Sequence, residues 1–408
     1  MSSSRVAFLS PMVLYVAVGG DDTDTGASFD HPLEHIETAI ERIADGGVIH
    51  IGPGTYEVVL IINRSMSLIG HGRVTLDGLT DNQVLRINGG TVYVENVTIA
   101  RGTHWEGSGV HNRGTLHMRR CTITECRATI LIFDTTGAGV YNRGTLTMDN
   151  CTITNNRSEP FGTVCGGIQK GLGGGLFNYS GIMTLRHCTV TDNVAANHSK
   201  CGDGIPAGGG IYRRAGEVIL DHTLVADNFT EIGGIGPRAG PDCFGTVTSL
   251  GHNLIGDMTD CTITTEPTTD ILDVDAGMDP MGLADHGGTT ETHALLPTSF
   301  AVDGGSPGVA SYPLDQRSGY RPLDGDGDAI AAPDIGAFEY GTFRPGDLND
   351  DWVVTLTEHA IVTSCLGGPA VVTQPAACSM LHFSLTDVDG NGSADLRDYA
   401  TIQLAFGE

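Results

Sequence analysis

The sequence predicts an all-β protein built as a right-handed parallel β-helix, a solenoid of stacked coils. An N-terminal helix caps it, and a small α-helical calcium-binding domain follows it. Three observations predict this. First, one pattern recurs four times: GSGVHNRGTLHMRRCTITEC from Gly107, GAGVYNRGTLTMDNCTITNN from Gly137, GGGLFNYSGIMTLRHCTVTDN from Gly173 and GGGIYRRAGEVILDHTLVADN from Gly208. Successive starts lie 30, 36 and 35 residues apart, a period that belongs to solenoids, propellers and arrays. Second, apolar residues alternate with polar ones inside each unit, and no helical period fits. Third, 58 glycines and only 6% aromatic residues among 408 favour a turn-dense β architecture over a helical one.

The elements follow in chain order. In residues 1–47, HPLEHIETAIERIADGG reads as a short amphipathic helix ended by glycine. Its expected role is to cover the open end of the solenoid, where unpaired strand edges invite aggregation. The start, MSSSRVAFLSPMVLYVAV, has an apolar stretch broken by Pro11 and no small-residue cleavage site after it, so it is a poor secretion signal. Residues 48–240 hold the coils, beginning with the shorter units VIHIGPGTYEVVLI, SMSLIGHGRVTLDG and VLRINGGTVYVENVTIARG. The alternation points Leu116, Met118, Cys121 and Ile123 inward in one coil, and Leu146, Met148, Cys151 and Ile153 inward in the next. One coil cannot bury these side chains, whereas coils stacked about 4.8 Å apart bury them continuously.

The GGG-[ILV]-[YF]-N turn and the L-x-[ML]-x-x-C-T-[IV]-T strands resemble those of polymorphic outer-membrane and related parallel β-helix surface proteins. Residues 241–341 carry SLGHNLIGD, DPMGLADHGGTTETHALLPTSFAVDGGSP and DQRSGYRPLDGDGDAIAAPDIGAFEY. These are similar to the C-terminal part of bacterial choice-of-anchor Q proteins. That resemblance implies a β-helix followed by an interchangeable attachment module, and implies no activity. Within it, Asp324, Asp326 and Asp328 are spaced by glycine and alanine neighbours as a calcium site would require.

Residues 345–408 contain two acidic loops, DLNDDWVVTLTE and DVDGNGSADLRD. Both place oxygen-bearing positions where an EF-hand-type loop needs them. The ligand sets are Asp347, Asn349, Asp351, the Val353 carbonyl, Thr355 and Glu358, then Asp387, Asp389, Asn391, the Ser393 carbonyl, Asp395 and Asp398. Gly392 occupies the sharp-turn position, and Trp352 stands there in the first loop at a conformational cost. The helical stretches TEHAIVTSCLG and LRDYATIQLAFG follow the loops. The paired loops, each with one helix, resemble a dockerin type I module, which implies calcium as cofactor and a cohesin-like or cell-envelope receptor as partner.

Ten cysteines suit an oxidising compartment. Cys243 and Cys261 are placed to staple the SLGHNLIGD segment, Cys165 and Cys201 to link loops of adjacent coils, and Cys365 and Cys378 to close the connector between the acidic loops. Cys121, Cys151 and Cys188 share one repeat position, which favours an internal column of reduced thiols. The net charge of −27 argues against a nucleic-acid partner. No apolar run approaches a membrane-spanning length. The expected location is extracellular or at the cell surface.

Two outward columns carry the chemistry. Arg119, Asp149, Arg186 and Asp221 alternate in sign between coils, which reads as a ladder of surface ion pairs. Arg113, Arg143, Tyr179 and Arg214, with Arg213 beside them, stack cations on neighbouring strands. Guanidinium forks hold carboxylates and tyrosine stacks on sugar rings, so an acidic polysaccharide fits this column. The expected function is surface attachment or carbohydrate binding by an exported protein. The alternative is a polysaccharide lyase or glycoside hydrolase, since parallel β-helices also host such enzymes. No catalytic residue is assigned for it: a lyase needs a lysine or arginine base, lysine in the repeats occurs only in loop insertions, at Lys170 and Lys200, and Arg143 is the arginine that could serve, while no GxSxG elbow is present.

Overall fold

A computed structural model describes residues 12–341, except 80–81, 132, 162–168, 198–204, 233–234, 240–241, 265–268 and 308–312, together with 356–366. The chain winds into stacked coils with three main faces. The first face is a parallel ladder running through Val13–Val16, Gly47–Ile51, Met66–Gly70, Thr91–Glu95, Thr115–Arg119, Thr145–Asp149, Ile182–Arg186, Glu217–Asp221 and Cys243–Ser249. The second face contains Thr98–Ala100, Thr122–Thr124, Thr152–Thr154 and Thr189–Thr191, and the third Leu85–Ile87, Val110–Asn112, Val140–Asn142, Leu176–Asn178 and Ile211–Arg213. Pairing is in register with the sequence repeats: Leu116 opposes Leu146, Met118 opposes Met148 and Ile123 opposes Ile153. All eight predicted inward residues are fully buried. Their periodic spacing, with one face of each strand turned inward, is what fills the bore.

Corners are built from side chains as well as backbone. Between the first and second faces, Arg120, Asn150, His187, His222 and His252 adopt positive φ of 46–53°, a conformation whose cost must be offset by the coils on either side. At the other two corners, asparagines stack and bond in series. Asn112 Nδ2 donates to Asn142 Oδ1 and Asn142 to Asn178, each at 2.8 Å. Asn156 bonds to Asn193, Asn193 to Asn228 and Asn228 to Asp242, each at 2.9 Å. Buried amides are retained because each donor finds the acceptor of the next coil.

The helix α1 (Ile36–Arg42) lies where the sequence placed it and packs Ile36, Ala39 and, partly, Ile40 on the core. Asp22 anchors its start, accepting from the N–H groups of Glu34 and His35 and from Thr38 Oγ1. The free cysteines Cys121, Cys126, Cys151 and Cys188 are buried, and Cys243 is bonded to Cys261 across a Cα separation of 5.3 Å. Cys365 is disulfide-bonded. Cys165, Cys201 and Cys378 lie outside the described residues. The helix α2 (Leu356–Cys365) falls on the predicted TEHAIVTSCLG helix. Both acidic loops lie outside the described residues, apart from the backbone of Leu356–Glu358 in α2.

Residues 241–341 divide into two parts with different work. Cys243–Ser249, Leu254–Ile255, Cys261–Thr264 and Ile271–Leu272 continue the ladders. The chain then runs back as a strap over the second face. Thr122 Oγ1 donates to the Glu291 carbonyl at 2.7 Å, Thr152 Oγ1 to Gln316 Oε1 at 2.7 Å, and Ala337 N to Thr189 Oγ1 at 3.0 Å. Thr154 Oγ1 and His293 Nε2 lie 3.0 Å apart. The strap therefore buries threonines that point out of the coil: Thr122, Thr152 and Thr154 have no exposed surface. It also carries its own buried ion pair, Arg321 Nε to Glu339 Oε2 at 2.7 Å, with both side chains fully enclosed. The second face is thus covered by the strap, while the first and third faces, and a shorter sheet through Thr103–His104, Arg127–Ala128, Arg157–Ser158, Val194–Asn197 and Phe229–Ile232, lie outside these contacts.

Candidate functional site: an aromatic and basic cleft on the third face

The first face is an ion-pair ladder. Arg119 pairs in register with Asp149, Asp149 with Arg186 and Arg186 with Asp221. Arg186 Nε lies 2.7 Å from Asp149 Oδ1, and Arg119 Nε 3.5 Å from Glu95. Charges neutralised in this way leave little for a ligand.

The third face differs because its outward residues are aromatic. His111, Tyr141, Phe177, Tyr212 and Phe244 form one continuous stack, with centroid separations of 5.0, 5.4, 5.1 and 4.8 Å and interplanar angles of 13° or less. The coil repeat produces it, because identical register positions lie one above another: His111 opposes Tyr141, Tyr141 opposes Phe177 and Phe177 opposes Tyr212. A rim formed by the short strands Thr135–Thr136 and Gly171–Leu172 rises beside the stack, continued by bridges from Glu106 to Thr136 and from Leu172 to Ala207. Tyr141 and Phe177 are buried under this rim with Leu172 and Ala207.

Between rim and stack lies a cleft of about 700 Å³, lined among others by Trp105, Glu106, Phe133, Asp134, Lys170, Tyr179, Tyr212 and Arg214. Trp105 is 39% exposed and Phe133 59% exposed. Such apolar faces, left open beside cations, are the kind of lining that holds a sugar ring.

The predicted column is present. Asn112, Asn142, Asn178 and Arg213 are mutual register partners, which places Arg113, Arg143, Tyr179 and Arg214 one position further along. The structure brings three of the four together. The guanidinium carbons of Arg143 and Arg214, from the coils before and after, each sit 4.1 Å from the Tyr179 ring centroid. The ring's negative faces separate two like charges and relieve the repulsion the sequence led us to expect. Tyr179 is therefore occupied on both sides, as Tyr212 is by Phe177 and Phe244, and ring stacking with a sugar falls to Trp105 and Phe133. Arg143 Nε donates to Tyr141 Oη at 2.9 Å. Arg213 replaces the ladder asparagine and turns away, its Nε donating to the Gly216 carbonyl at 2.8 Å. Arg113 does not line the cleft. Among the described residues, none of Arg113, Arg143 and Arg214 has a carboxylate within ion-pair distance.

Burial pushes the Tyr141 phenol up to about 12, so it stays protonated. Burial, with Arg113, Arg86 and Arg143 nearby, pushes His111 down to about 4. The neutral imidazole lies with Nε2 3.9 Å from Glu106 Oε2. Sequence reasoning missed Trp105, Phe133, Lys170 and the two carboxylates, because they sit in the variable segments before each glycine turn. Scarcity was the available signal: Trp105 is one of two tryptophans and Lys170 one of two lysines.

The acidic loop of the strap gathers Asp303, Asp324 and Asp326, with ligand oxygens within 4.8 Å of one another. Asp328 is not in this group; it accepts from Ile330 N at 2.8 Å. Asp303 joins from the preceding turn, and burial raises its pKa. Asp303 Oδ2 accepts from the N–H groups of Gly325 and Asp326, and Asp324 from those of Gly327 and Ala329. The loop's own backbone thus already satisfies part of each carboxylate.

No protein-family model matches the chain, and no curated protein matches it. Among solved structures, it is similar to pectate lyase Pel9A, with 13% identity, a TM-score of 0.45, and coverage of 82% of this chain and 98% of that one. It is also similar to the pectin methylesterase of Aspergillus niger, with 14% identity, a TM-score of 0.34, and coverage of 66% and 86%. For pectin methylesterase PemA of Erwinia chrysanthemi the values are 13%, 0.29, 61% and 80%.

Proposed function

We propose that this is an exported protein that binds an acidic polysaccharide in the third-face cleft. We further propose that it is held at a surface or scaffold by a calcium-dependent dockerin-like module within residues 345–408, through a cohesin-like or cell-envelope receptor. The observation that carries the first part is the cleft lining: the exposed aromatic side chains Trp105 and Phe133 beside Lys170 and Arg214. Aromatic faces contribute contact area at low entropic cost, and cations without acidic partners contribute attraction to carboxylates or sulfates. Titration of the full chain against a panel of uronate-containing and sulfated glycans tests it. Saturable binding, weakened at least about tenfold by Arg214→Glu, is expected, since a guanidinium is replaced by a like charge. Absence of binding across the panel removes the reading.

A second reading, cleavage of the glycan by a lyase or hydrolase mechanism, is supported by Glu106, a carboxylate that lines the cleft and lies 3.9 Å from the buried His111 behind the lining. Release of unsaturated uronate or reducing ends, abolished by Glu106→Gln, would select it over simple binding.

A further inference from the structure

The charges of the cleft are sorted along the solenoid axis. Glu106 and Asp134 belong to two successive coils, and Lys170 and Arg214 to the next two. The register fixes this order: Glu106 bridges Thr136, Thr135 pairs with Gly171, and the strand before Arg214, Ile211–Arg213, pairs with Leu176–Asn178 of the Lys170 coil. All four residues line the same cavity. Asp134 Oδ1 accepts from the Lys170 backbone N–H at 3.0 Å, and among the described residues neither side chain is in an ion pair. Arg143, on the Asp134 coil, does not line the cavity and is turned onto Tyr141 and Tyr179. The centre of the acidic pair thus lies two coils, about 10 Å, from the centre of the basic pair. A pyranose chain running along the axis advances by roughly one coil per sugar.

Building on the acidic-glycan reading above, we propose that this polarity sets the substrate class. The cleft takes a sparsely charged acidic heteroglycan, with an acidic sugar over Lys170 and Arg214 and uncharged sugars over Glu106 and Asp134. A homopolymeric uronate carries a carboxylate on every sugar and sets some of them against Glu106 and Asp134. Juxtaposed like charges are a recurring way of rejecting a wrong partner. Glu106 and Asp134 are then specificity-determining residues that exclude polyuronates. Trp105 and Phe133 supply apolar faces for the uncharged sugars.

The test compares two tetrasaccharides, one with a single terminal uronate on three neutral sugars and one of four galacturonates, titrated into the full chain at low salt without added calcium. The inference predicts a preference for the singly charged ligand of about tenfold. It also predicts that Glu106→Gln with Asp134→Asn closes the gap by tightening the galacturonate complex. Both replacements keep shape, and the amide oxygen introduced by Asp134→Asn still accepts from the Lys170 N–H. Each single variant is also measured and its thermal midpoint checked. Equal or tighter binding of tetragalacturonate, or a gap unchanged in the double variant, overturns the inference and leaves the acidic-glycan reading standing. If neither ligand binds and Arg214→Glu changes nothing, that reading fails and takes the inference with it.

Discussion

Tyr179 illustrates how far a single column can be read at the level of residues. Repeat alignment placed Arg113, Arg143, Tyr179 and Arg214 in line, and the register bears that out. The sandwich of Tyr179 between two guanidiniums was not legible, because side-chain direction at a corner depends on which coil leaves room. Replacing Arg143 by glutamate removes one half of that sandwich and the hydrogen bond to Tyr141. We expect a stability loss of about 0.5–1 kcal/mol by chemical denaturation, the range of an exposed cation–π contact. Affinity for an acidic glycan should fall less than in Arg214→Glu, since Arg143 stands behind the cleft, and its salt dependence should shrink. In the bore, Ile153 lies fully buried between Ile123 and Val190. Ile153→Asp puts an unpaired charge there and should cost several kcal/mol, on the order of 3 or more. An unchanged thermal midpoint would contradict the register.

Strands and the turns that open each coil were legible as elements because their signals are local: an inward residue at every second position, a glycine turn at each coil start and the asparagine that ends that turn. The strap was not. Nothing within TTETHALL or DQRSGYRP states that these residues cross the TIT strands, a contact between segments more than 130 residues apart. The outward threonines gave the only hint, being β-formers whose hydroxyls need partners when covered. Arg321→Met should destabilise the strap by about 3–5 kcal/mol, because Glu339 is left buried without its cation. Adding Glu339→Gln should recover much of that loss. Burial raises Glu339 to about 7. Its folded pKa lies above the unfolded one, so its contribution is present at acid pH and is lost as pH rises through about 7. His293 works oppositely: burial lowers it to about 4, so its contribution is present above about 6.5 and lost as pH falls toward 4. Thermal melts between pH 4 and 6.5 should show a shallower acid slope in His293→Gln, with each proton worth at most about 1.4 kcal/mol per pH unit.

For the whole molecule, the architecture follows from repetition, while function depends on what the variable segments add to one face. The solenoid was predicted from a period of 30 to 36 residues, and the second face turned out to be closed by the chain's own C-terminal part. The cleft stands on a face that the strap leaves open, and the segments that build its rim have no repeat signature. A net charge of −27 makes the cleft's local cations work against long-range repulsion of any polyanion, so moderate salt should screen the repulsion before it weakens the contacts. The proposed calcium module is separable in experiment. Asp387→Ala should abolish one calcium-dependent change in circular dichroism and leave the main thermal transition of the β-helix in place, because the cation is what offsets the loop's carboxylates. The measurement that reaches the central claim most directly uses the two tryptophans, Trp105 in the cleft and Trp352 in the first acidic loop. With Trp352→Phe, Trp105 becomes the sole indole reporter, and an acidic oligosaccharide is titrated while its emission is followed. The account predicts a saturable shift in Trp105 emission that Arg214→Glu moves to at least about tenfold higher ligand concentration. Binding of the same ligand, established by calorimetry, with Trp105 emission unchanged would place the glycan elsewhere and contradict it.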